Sequence, residues 1–215
     1  MKTLAAILAF ASIATGYTLQ NYQKYNDHCH SLECPRYTLL NKTENYEVRK
    51  YESFKWATAS SHSQTLDYKQ ASKDNFMKLF RYISGANEQK QKVEMTAPVL
   101  VHIPVTQGPF CAPDFTMHFF VPYKFQSNPP KPLNNSDKVS IMELPEMTVF
   151  VASFGGWMDQ EKIQQNGLLL GKALQEDGIA FDDSQMFTAG YDSPFRLIGR
   201  HNEIMFLPKE NQFRV

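Results

Sequence analysis

The sequence lacks the motifs that mark several common classes of enzyme and nucleic-acid-binding protein. It contains no Gly-x-Ser-x-Gly, no glycine-rich phosphate loop and no His-Glu-x-x-His, which removes the usual signals of a serine hydrolase, a nucleotide-binding enzyme and a zinc peptidase. Its 22 lysines and arginines balance 22 aspartates and glutamates. This balance, with no basic cluster between aromatics, argues against a nucleic-acid partner.

Long apolar runs are also scarce, and the one that stands out lies at the N-terminus. Lys2 precedes an apolar run over residues 4–14, which is followed by the small residues Thr15 and Gly16. A charged start, a short apolar run and small residues at a cleavage point are typical of a secretory signal peptide, and the run is too short to span a bilayer. We therefore predict that residues 1–16 are removed and that the mature protein is secreted, with no transmembrane segment. A buried N-terminal helix is the alternative.

Cysteine is rare, with Cys29, Cys34 and Cys111 as the three examples. In an oxidising compartment they allow one disulfide and leave one thiol. A Cys34–Cys111 bridge would restrict the unfolded chain more, and Cys29–Cys34 is the local alternative. Glycosylation sequons begin at Asn41 and Asn134 in turn-like sequence, and they agree with secretion.

The domain organisation follows from length and local composition. A chain of 215 residues fits one large domain or two small ones. Residues 17–33 are polar and without periodicity, which predicts a mobile lead-in. Residues 34–208 are predicted to form a single domain whose halves, about 34–125 and 138–208, are joined by a stretch rich in proline and asparagine.

Each half passes from strand periodicity to helical periodicity and back. Helical spacing of apolar residues predicts helices over 66–84, stopped by Gly85, and over 159–176. Two such halves predict an α+β fold in which a curved antiparallel sheet, or a barrel, packs one helix from each half. Period-two alternation predicts strands within residues 36–62, 93–104, 115–121, 139–144, 147–154, 185–191 and 203–207.

Local similarities between the halves support the same architecture. The segment ending at Ser60 resembles the one ending at Ser153, 93 positions later, and a proline motif at Pro98 is echoed at Pro194, 96 positions later. Two similar offsets predict one unit used twice.

The first predicted helix carries the best candidate ligand surface. Large apolar side chains lie beside two cations, which would suit a flat amphipathic ligand with carboxylate tails. An ordinary amphipathic helix with a solvated rim is the alternative. The residues concerned are Lys73, Phe76, Met77, Phe80 and Arg81.

Other chemically capable residues give weaker signals. The His-Cys-His sequence at 28–30 has no second cluster at ligand spacing, so no metal site is predicted there. Glu94 and Glu203 could face a barrel interior as general bases, or could bind backbone groups. The structural role is the prediction.

Several segments together resemble the SOUL haem-binding protein family. The resemblance runs from about Cys34 to about Leu207, and the order of Met-Thr-Ala-Pro-Val, Gly-Tyr-Asp-Ser-Pro and Arg-His-Asn-Glu is specific to it. The matching segments are Tyr46–Tyr51, Lys55-Trp56, Tyr82–Asn87, Glu94–Val99, Ala189–Pro194 and Arg200–Ile204.

The resemblance implies both a fold and a ligand. The fold is a distorted antiparallel β-barrel of eight strands with two long helices, in two pseudo-symmetric halves, similar to gyrase-inhibitor-like small-molecule-binding domains. The ligand is haem or another porphyrin, which lies in a hydrophobic groove beside the first helix. There it is held by packing and by pairing of its propionates.

Carried over residue by residue, the resemblance assigns roles in that groove. The basic positions fall on Lys73 and Arg81, and the apolar positions fall on Phe76, Met77 and Phe80. A mobile loop resembling the segment that covers the groove contributes Asp192, Pro194 and Arg196.

The resemblance also has implications for iron ligation and for the disulfide. Some members carry a histidine, proposed as an axial ligand, where this chain has Lys50, and a protonated lysine cannot ligate iron. The remaining candidates for an axial ligand are His102, His118 and His201, because imidazole suits iron. Similarity to some members at Cys34 and Cys111 implies that these two cysteines form the bridge.

These observations predict a secreted, monomeric, non-enzymatic carrier or scavenger of a tetrapyrrole. One alternative is a cofactor-independent enzyme acting on a tetrapyrrole or other small amphipathic molecule, with Glu94, Tyr191 and Glu203 lining a barrel interior. Another is an extracellular structural protein that has kept the fold and lost the ligand.

Overall fold

The computed structural model describes residues 27–62, 68–104, 114–135 and 137–209. The predicted signal peptide, residues 17–26 of the predicted lead-in, and Cys111 lie outside these ranges. The described residues form an α+β fold with nine strands and two long helices. None of the helices in these ranges is both long and apolar enough to cross a membrane.

All nine strands belong to one antiparallel sheet, curled into a half-barrel. Its order is β1-β2-β7-β9-β8-β4-β5-β3-β6, so β1 and β6 lie at the two ends. The strands are β1 Tyr37–Lys42, β2 Glu47–Tyr51, β3 Phe54–His62, β4 Val99–Pro104, β5 Asp114–Phe120, β6 Ser140–Leu144, β7 Met147–Gly155, β8 Phe181–Gly190 and β9 His201–Pro208.

Two sequence expectations about the sheet need correction. The expected eight strands become nine in the described residues, because a turn lets β1 fold back on β2; the Thr43 hydroxyl accepts from the Tyr46 amide at 3.0 Å in that turn. The proline echo does not mark equivalent places, since Pro98 lies directly before β4 and Pro194 lies after β8.

The two predicted helices are confirmed, as α1 Tyr68–Ile83 and α2 Gln160–Glu176. Helix α1 ends at Gly85, whose φ of 112° suits glycine because a side chain would be strained there. Helix α2 begins after Asp159, whose carboxylate accepts a hydrogen bond from the Lys162 amide at 2.9 Å.

The sheet has a different core on each face, because successive side chains of a strand point to opposite sides. One core lies under the helices and includes Leu79 of α1, Leu174 of α2 and Phe115 of β5. The other lies on the face away from the helices and includes Trp56 and Phe187. The helix surface and the opposite face of the sheet are therefore separate environments.

The disulfide corrects another expectation. Cys34 is bonded to Cys29, with Cα atoms 6.2 Å apart, so the Cys34–Cys111 pairing implied by the resemblance is wrong. The local pair meets because a short turn, in which the Leu32 amide donates to the Cys29 carbonyl at 3.0 Å, brings the chain back. Both cysteines are buried in the second core, so residues 27–33 of the predicted lead-in pack against the sheet.

A buried network of charged residues lies on the face of the sheet away from the helices. The Arg49 guanidinium makes two bonds to Glu203, at 3.0 and 3.1 Å, and the Tyr191 hydroxyl donates to the same carboxylate at 2.7 Å. Burial alone raises the pKa of Glu203, but the hydrogen bond with His201 and the charge of Arg49 outweigh it and lower the pKa to about 2. Glu203 is thus held as a carboxylate.

Two leucines of α2 provide a matched test of the buried helix face. Leu174 has none of its surface exposed, so Leu174→Ala should lower the free energy of unfolding by about 2–5 kcal/mol. Leu168 is 76% exposed, so Leu168→Ala should change it by less than about 0.5 kcal/mol. Urea unfolding followed by circular dichroism measures both. Equal losses would contradict the orientation of α2.

The pKa of Glu203 predicts an acid dependence of stability. Its folded pKa of about 2 is below the ordinary value of 4.5, so the unfolded chain binds the proton first. The stabilisation is complete above about pH 4.5 and is lost as the pH falls towards 2, by up to about 3 kcal/mol. Urea unfolding between pH 6 and 2.5 should show this slope in the native chain and a shallower slope in Glu203→Gln.

The control for this pH series is Glu146→Gln. Glu146 is exposed and paired with Lys50, so its loss should leave the slope unchanged. Glu203→Gln should also lower stability near neutral pH by about 1–3 kcal/mol, because the buried Arg49 would keep only the Glu47 carboxylate, 2.7 Å away, as a charged partner. An unchanged acid slope in Glu203→Gln would refute the pKa assignment.

Candidate ligand site

The outward side of α1 presents an apolar surface. The rings of Phe76 and Phe80, one turn apart, stack with centroids 5.9 Å apart and planes 13° from parallel. Beneath them Phe119 of β5 meets Phe76 edge to face at 5.3 Å. Met77 and Phe80 are exposed, whereas Leu79 faces the core. The large apolar side chains of α1 are thus divided between the core and the surface, and Met77 and Phe80 are open to a ligand.

Two exposed cations lie before and after the Phe76–Phe80 stack along α1, at the positions that the sequence proposes for pairing with ligand carboxylates. Lys73 and Arg81 are exposed on α1, and eight residues of helix separate them by about 12 Å along the axis. Arg81 makes two bonds to Asp137, Nε to Oδ2 at 2.8 Å and Nη2 to Oδ1 at 2.6 Å. The hydrogen bonding raises the pKa of Arg81 and lowers that of Asp137.

Asp137 is a site residue that sequence reasoning missed. It lies 56 positions after Arg81, in the connection between the halves, and no local pattern links the two. Because its carboxylate already occupies the Arg81 guanidinium, a ligand carboxylate must displace Asp137 or share the guanidinium with it.

The predicted loop residues lie between β8 and β9, in residues 191–200. The Asp192 side chain is almost fully buried and accepts from the His201 amide at 2.6 Å and from His30 at 3.0 Å. It also pairs with Arg196 at 3.2 Å. Pro194 and Arg196 are exposed. Asp192 therefore anchors the loop, and the exposed part of the loop lies beyond it.

Met158 connects this loop to α1. The Tyr68 hydroxyl, at the start of α1, donates to the Met158 sulfur at 3.5 Å. The Met158 methyl lies 3.7 Å from the position that a Cβ on Gly190 would occupy. The structure thus places the first turn of α1 and the base of the loop on the same side of the sheet.

His102 and His118 do not reach the α1 surface. His118 lies fully buried on the other face of β5, with Nδ1 2.9 Å from the Thr58 hydroxyl, and burial lowers its pKa to about 3. The buried His102 stacks on Phe187 and has Nε2 3.0 Å from the Gln185 side-chain oxygen. Neither imidazole faces the predicted groove.

His201 is engaged elsewhere as well. Its Nε2 lies 2.9 Å from Glu203, and its ring stacks on His28 with centroids 3.5 Å apart. Lys50 pairs with Glu146 at 2.7 Å. Across the described ranges, no group of three or more His, Cys, Asp or Glu side chains is placed to hold a metal ion.

The residues considered for an enzyme do not form one cluster. Tyr191 and Glu203 are hydrogen-bonded in the buried network. Glu94 is exposed and pairs with Lys124 at 2.6 Å, and that hydrogen bond lowers its pKa. The interior constellation that the sequence suggested therefore lacks one of its three members.

The second face of the sheet holds a small apolar cavity. Its volume is about 50 Å³, and Trp56, Leu100, Phe187 and Met205 are among the residues that line it. A single water occupies about 30 Å³ of liquid, so a tetrapyrrole does not fit there. A flat macrocyclic ligand therefore needs an open surface of the described residues, such as that of α1.

Comparisons with known proteins agree with the fold and the resemblance. The chain is 40% identical to human "Heme-binding protein 2" over 77% of its length and 78% of that protein. It is 31% identical to pig "Heme-binding protein 1" over 74% of its length and 82% of that protein.

Among solved structures, the EcmrR C-terminal domain superposes with a TM-score of 0.53 at 13% identity, covering 75% of this chain and 96% of that domain. At this identity the likeness shows the fold alone. The family model described as "SOUL heme-binding protein" matches residues 32–207, and the chain therefore belongs to the SOUL heme-binding protein family.

Proposed function

We propose that this protein is a secreted, non-enzymatic carrier or scavenger of haem or a related porphyrin. Haem is the bound ligand that the family and its named haem-binding relatives support. The observation that carries the proposal is the Phe76–Phe80 stack, in which Phe76 is half-buried and Phe80 is exposed, with the exposed cations Lys73 and Arg81 before and after it on α1.

The surface suits each part of a porphyrin. The macrocycle gains from aromatic and thioether contact with Phe80 and Met77. Its two propionates pair with Lys73 and Arg81, in the second case at the expense of Asp137. Iron is held without a protein axial ligand from His102, His118 or His201, since the first two are buried on the face away from α1 and His201 Nε2 is bonded to Glu203.

The location is part of the same proposal. The predicted signal peptide at 1–16 and the sequons at Asn41 and Asn134 support export and glycosylation, and both asparagines are exposed. A Cys29–Cys34 disulfide suits an oxidising compartment. The balanced charge supports a protein with no nucleic-acid partner, and we take the working state to be a monomer.

We also propose that the protein has no catalytic activity. A general base needs a pKa near the working pH, whereas the pKa of Glu203 is about 2 and its oxygens are bonded to Arg49, Tyr191 and His201. Glu94 is committed to Lys124. Both observations favour structural roles for these carboxylates.

We further infer that strands β2–β9 form two pseudo-symmetric halves. In support, β2 and β6 begin 93 positions apart, as do β3 and β7. The pairings β3–β5–β4 of the first half have counterparts β7–β9–β8 in the second. Strand β1 has no such counterpart among the described strands. The nine strands are then a four-stranded unit used twice, with β1 added at one end.

A porphyrin titration tests the function directly. Absorbance and fluorescence should show saturable binding of protoporphyrin IX well below about 1 mM, where binding free energy is only about −4 kcal/mol. The double variant Lys73→Glu/Arg81→Glu should weaken binding at least about tenfold, because it replaces two favourable ion pairs with repulsion. The variant Lys172→Glu/Lys209→Glu makes the same number of charge reversals at exposed positions outside the site and should bind like the native chain.

The outcomes separate the alternatives. No saturable binding would favour a structural protein that has lost the ligand. With haemin, a Soret shift abolished by His201→Ala would indicate axial ligation and overturn ligation-free binding. Chemical change of the bound porphyrin, stopped by Glu94→Gln with affinity intact, would favour the enzyme.

A further inference from the structure

The loop between β8 and β9 ends in an exposed apolar tip. Phe195, Leu197 and Ile198 are 90, 73 and 85% exposed. Three large apolar side chains within four residues, all open to solvent, are unusual, and such patches generally mark an interaction site. We call residues 195–198 the apolar tip.

The polypeptide that carries the apolar tip satisfies much of its own hydrogen bonding. The Arg200 guanidinium donates to the Ser193 and Arg196 carbonyls, both at 2.8 Å. Arg196 Nε lies 3.1 Å from the Ile198 and Gly199 carbonyls. Because an unsatisfied carbonyl is costly in an apolar medium, this internal bonding suits a loop that leaves water.

The loop is also preformed. Asp192 holds its base through the His201 amide and through His30. Gly199 has a φ of 65°, and a Cβ there would lie 3.3 Å from the Arg196 guanidinium. The tip is therefore presented by a defined turn, and docking it has a smaller ordering cost than docking a loose segment.

The surroundings of the tip have the composition of a membrane interface. Trp157 is exposed beside the loop, and the Arg200 guanidinium lies 4.3 Å from its ring centroid. Tryptophan is enriched at headgroup level, and arginine complements anionic headgroups. Lys162 adds positive charge near the base, where its Nζ contacts the Gly155 carbonyl at 3.3 Å, whereas the charge of Arg196 is offset by Asp192.

We propose that the apolar tip inserts into the outer layer of an anionic lipid bilayer and attaches the protein to membrane surfaces. Phe195, Leu197 and Ile198 enter the boundary of the acyl chains. Trp157, Arg196 and Arg200 lie at the level of the headgroups. This attachment is independent of porphyrin binding.

Vesicle binding with Trp157 as reporter tests the proposal. The chain has two tryptophans, and the other, Trp56, is buried in the second core. Porphyrin-free protein is mixed with vesicles of phosphatidylcholine and phosphatidylserine at three to one. We expect co-sedimentation and a blue shift of the fluorescence, with the shift lost in Trp157→Phe. Pure phosphatidylcholine should bind more weakly, and added salt should weaken binding to the anionic vesicles.

The decisive variant is Phe195→Ser/Leu197→Ser/Ile198→Ser, which should weaken vesicle binding at least about tenfold. The matched control is Leu168→Ser/Leu169→Ser, because these leucines are 76 and 58% exposed on α2, and it should bind like the native chain. All variants keep the same N-terminus, so any contribution of residues 1–16 cancels. An unchanged urea midpoint in the triple variant shows that its fold is intact.

Two results would overturn the proposal. The first is vesicle binding by the triple variant equal to that of the native chain; if that variant has also lost porphyrin binding, the tip is a cover for the ligand. The second is a concentration-dependent dimer of the native chain in gel filtration that the triple variant does not form, with no vesicle binding by either protein. Failure of the porphyrin titration alone leaves the vesicle result unaffected.

Discussion

The buried pair between Arg49 and Glu203 is the interaction on which the rest of this side of the molecule depends. Desolvating two charges is costly, and the attraction between them offsets that cost when geometry and further hydrogen bonds are good. Here Arg49 comes from β2 near one end of the sheet and Glu203 from β9, two strands further in. Tyr191 and His201 complete the bonding of the carboxylate, so the strands must keep one register.

The same network fixes the N-terminal segment and the loop. His201 stacks on His28, which directly precedes Cys29 of the disulfide. Tyr191 is followed in the chain by Asp192, which holds the loop. The Glu203 side chain, through its bonds to His201 and Tyr191, thereby helps to position the N-terminal segment and the loop between β8 and β9. This explains how a loop with an exposed apolar tip can have a defined turn, although its tip makes no contribution to the core.

Much of the fold was predictable, because the signals were local. Alternation of apolar residues indicated strands, and helical spacing identified both helices. Gly85 marked the end of one helix and Asp159 the start of the other. The proposed ligand surface of α1 could be suggested from the sequence for the same reason, since one helix supplies all five of its residues. Asp137 could not, because its partner Arg81 lies 56 positions away.

Other predictions failed where the outcome depended on packing. The choice of Cys29 over Cys111 as partner for Cys34 follows from where the turn at 27–34 lies on the sheet, and spacing alone does not encode that. The histidines were candidates for iron by type alone. The orientation of His118 depends on alternation along β5: because Phe119 faces α1, His118 faces away from it.

The two helices differ in the side chains that they place against the sheet. On α2, Gly171 faces the sheet, and a Cβ there would lie 3.3 Å from the Phe181 ring. The small residues Gly167 and Ala173 are also buried on this side of α2. Helix α1 contains no glycine. Its Phe76 side chain fills the space between the helix backbone and Phe119 of β5. That aromatic contact continues outward to Phe80, so the spacing that α1 needs for packing also builds the aromatic surface for a flat ligand.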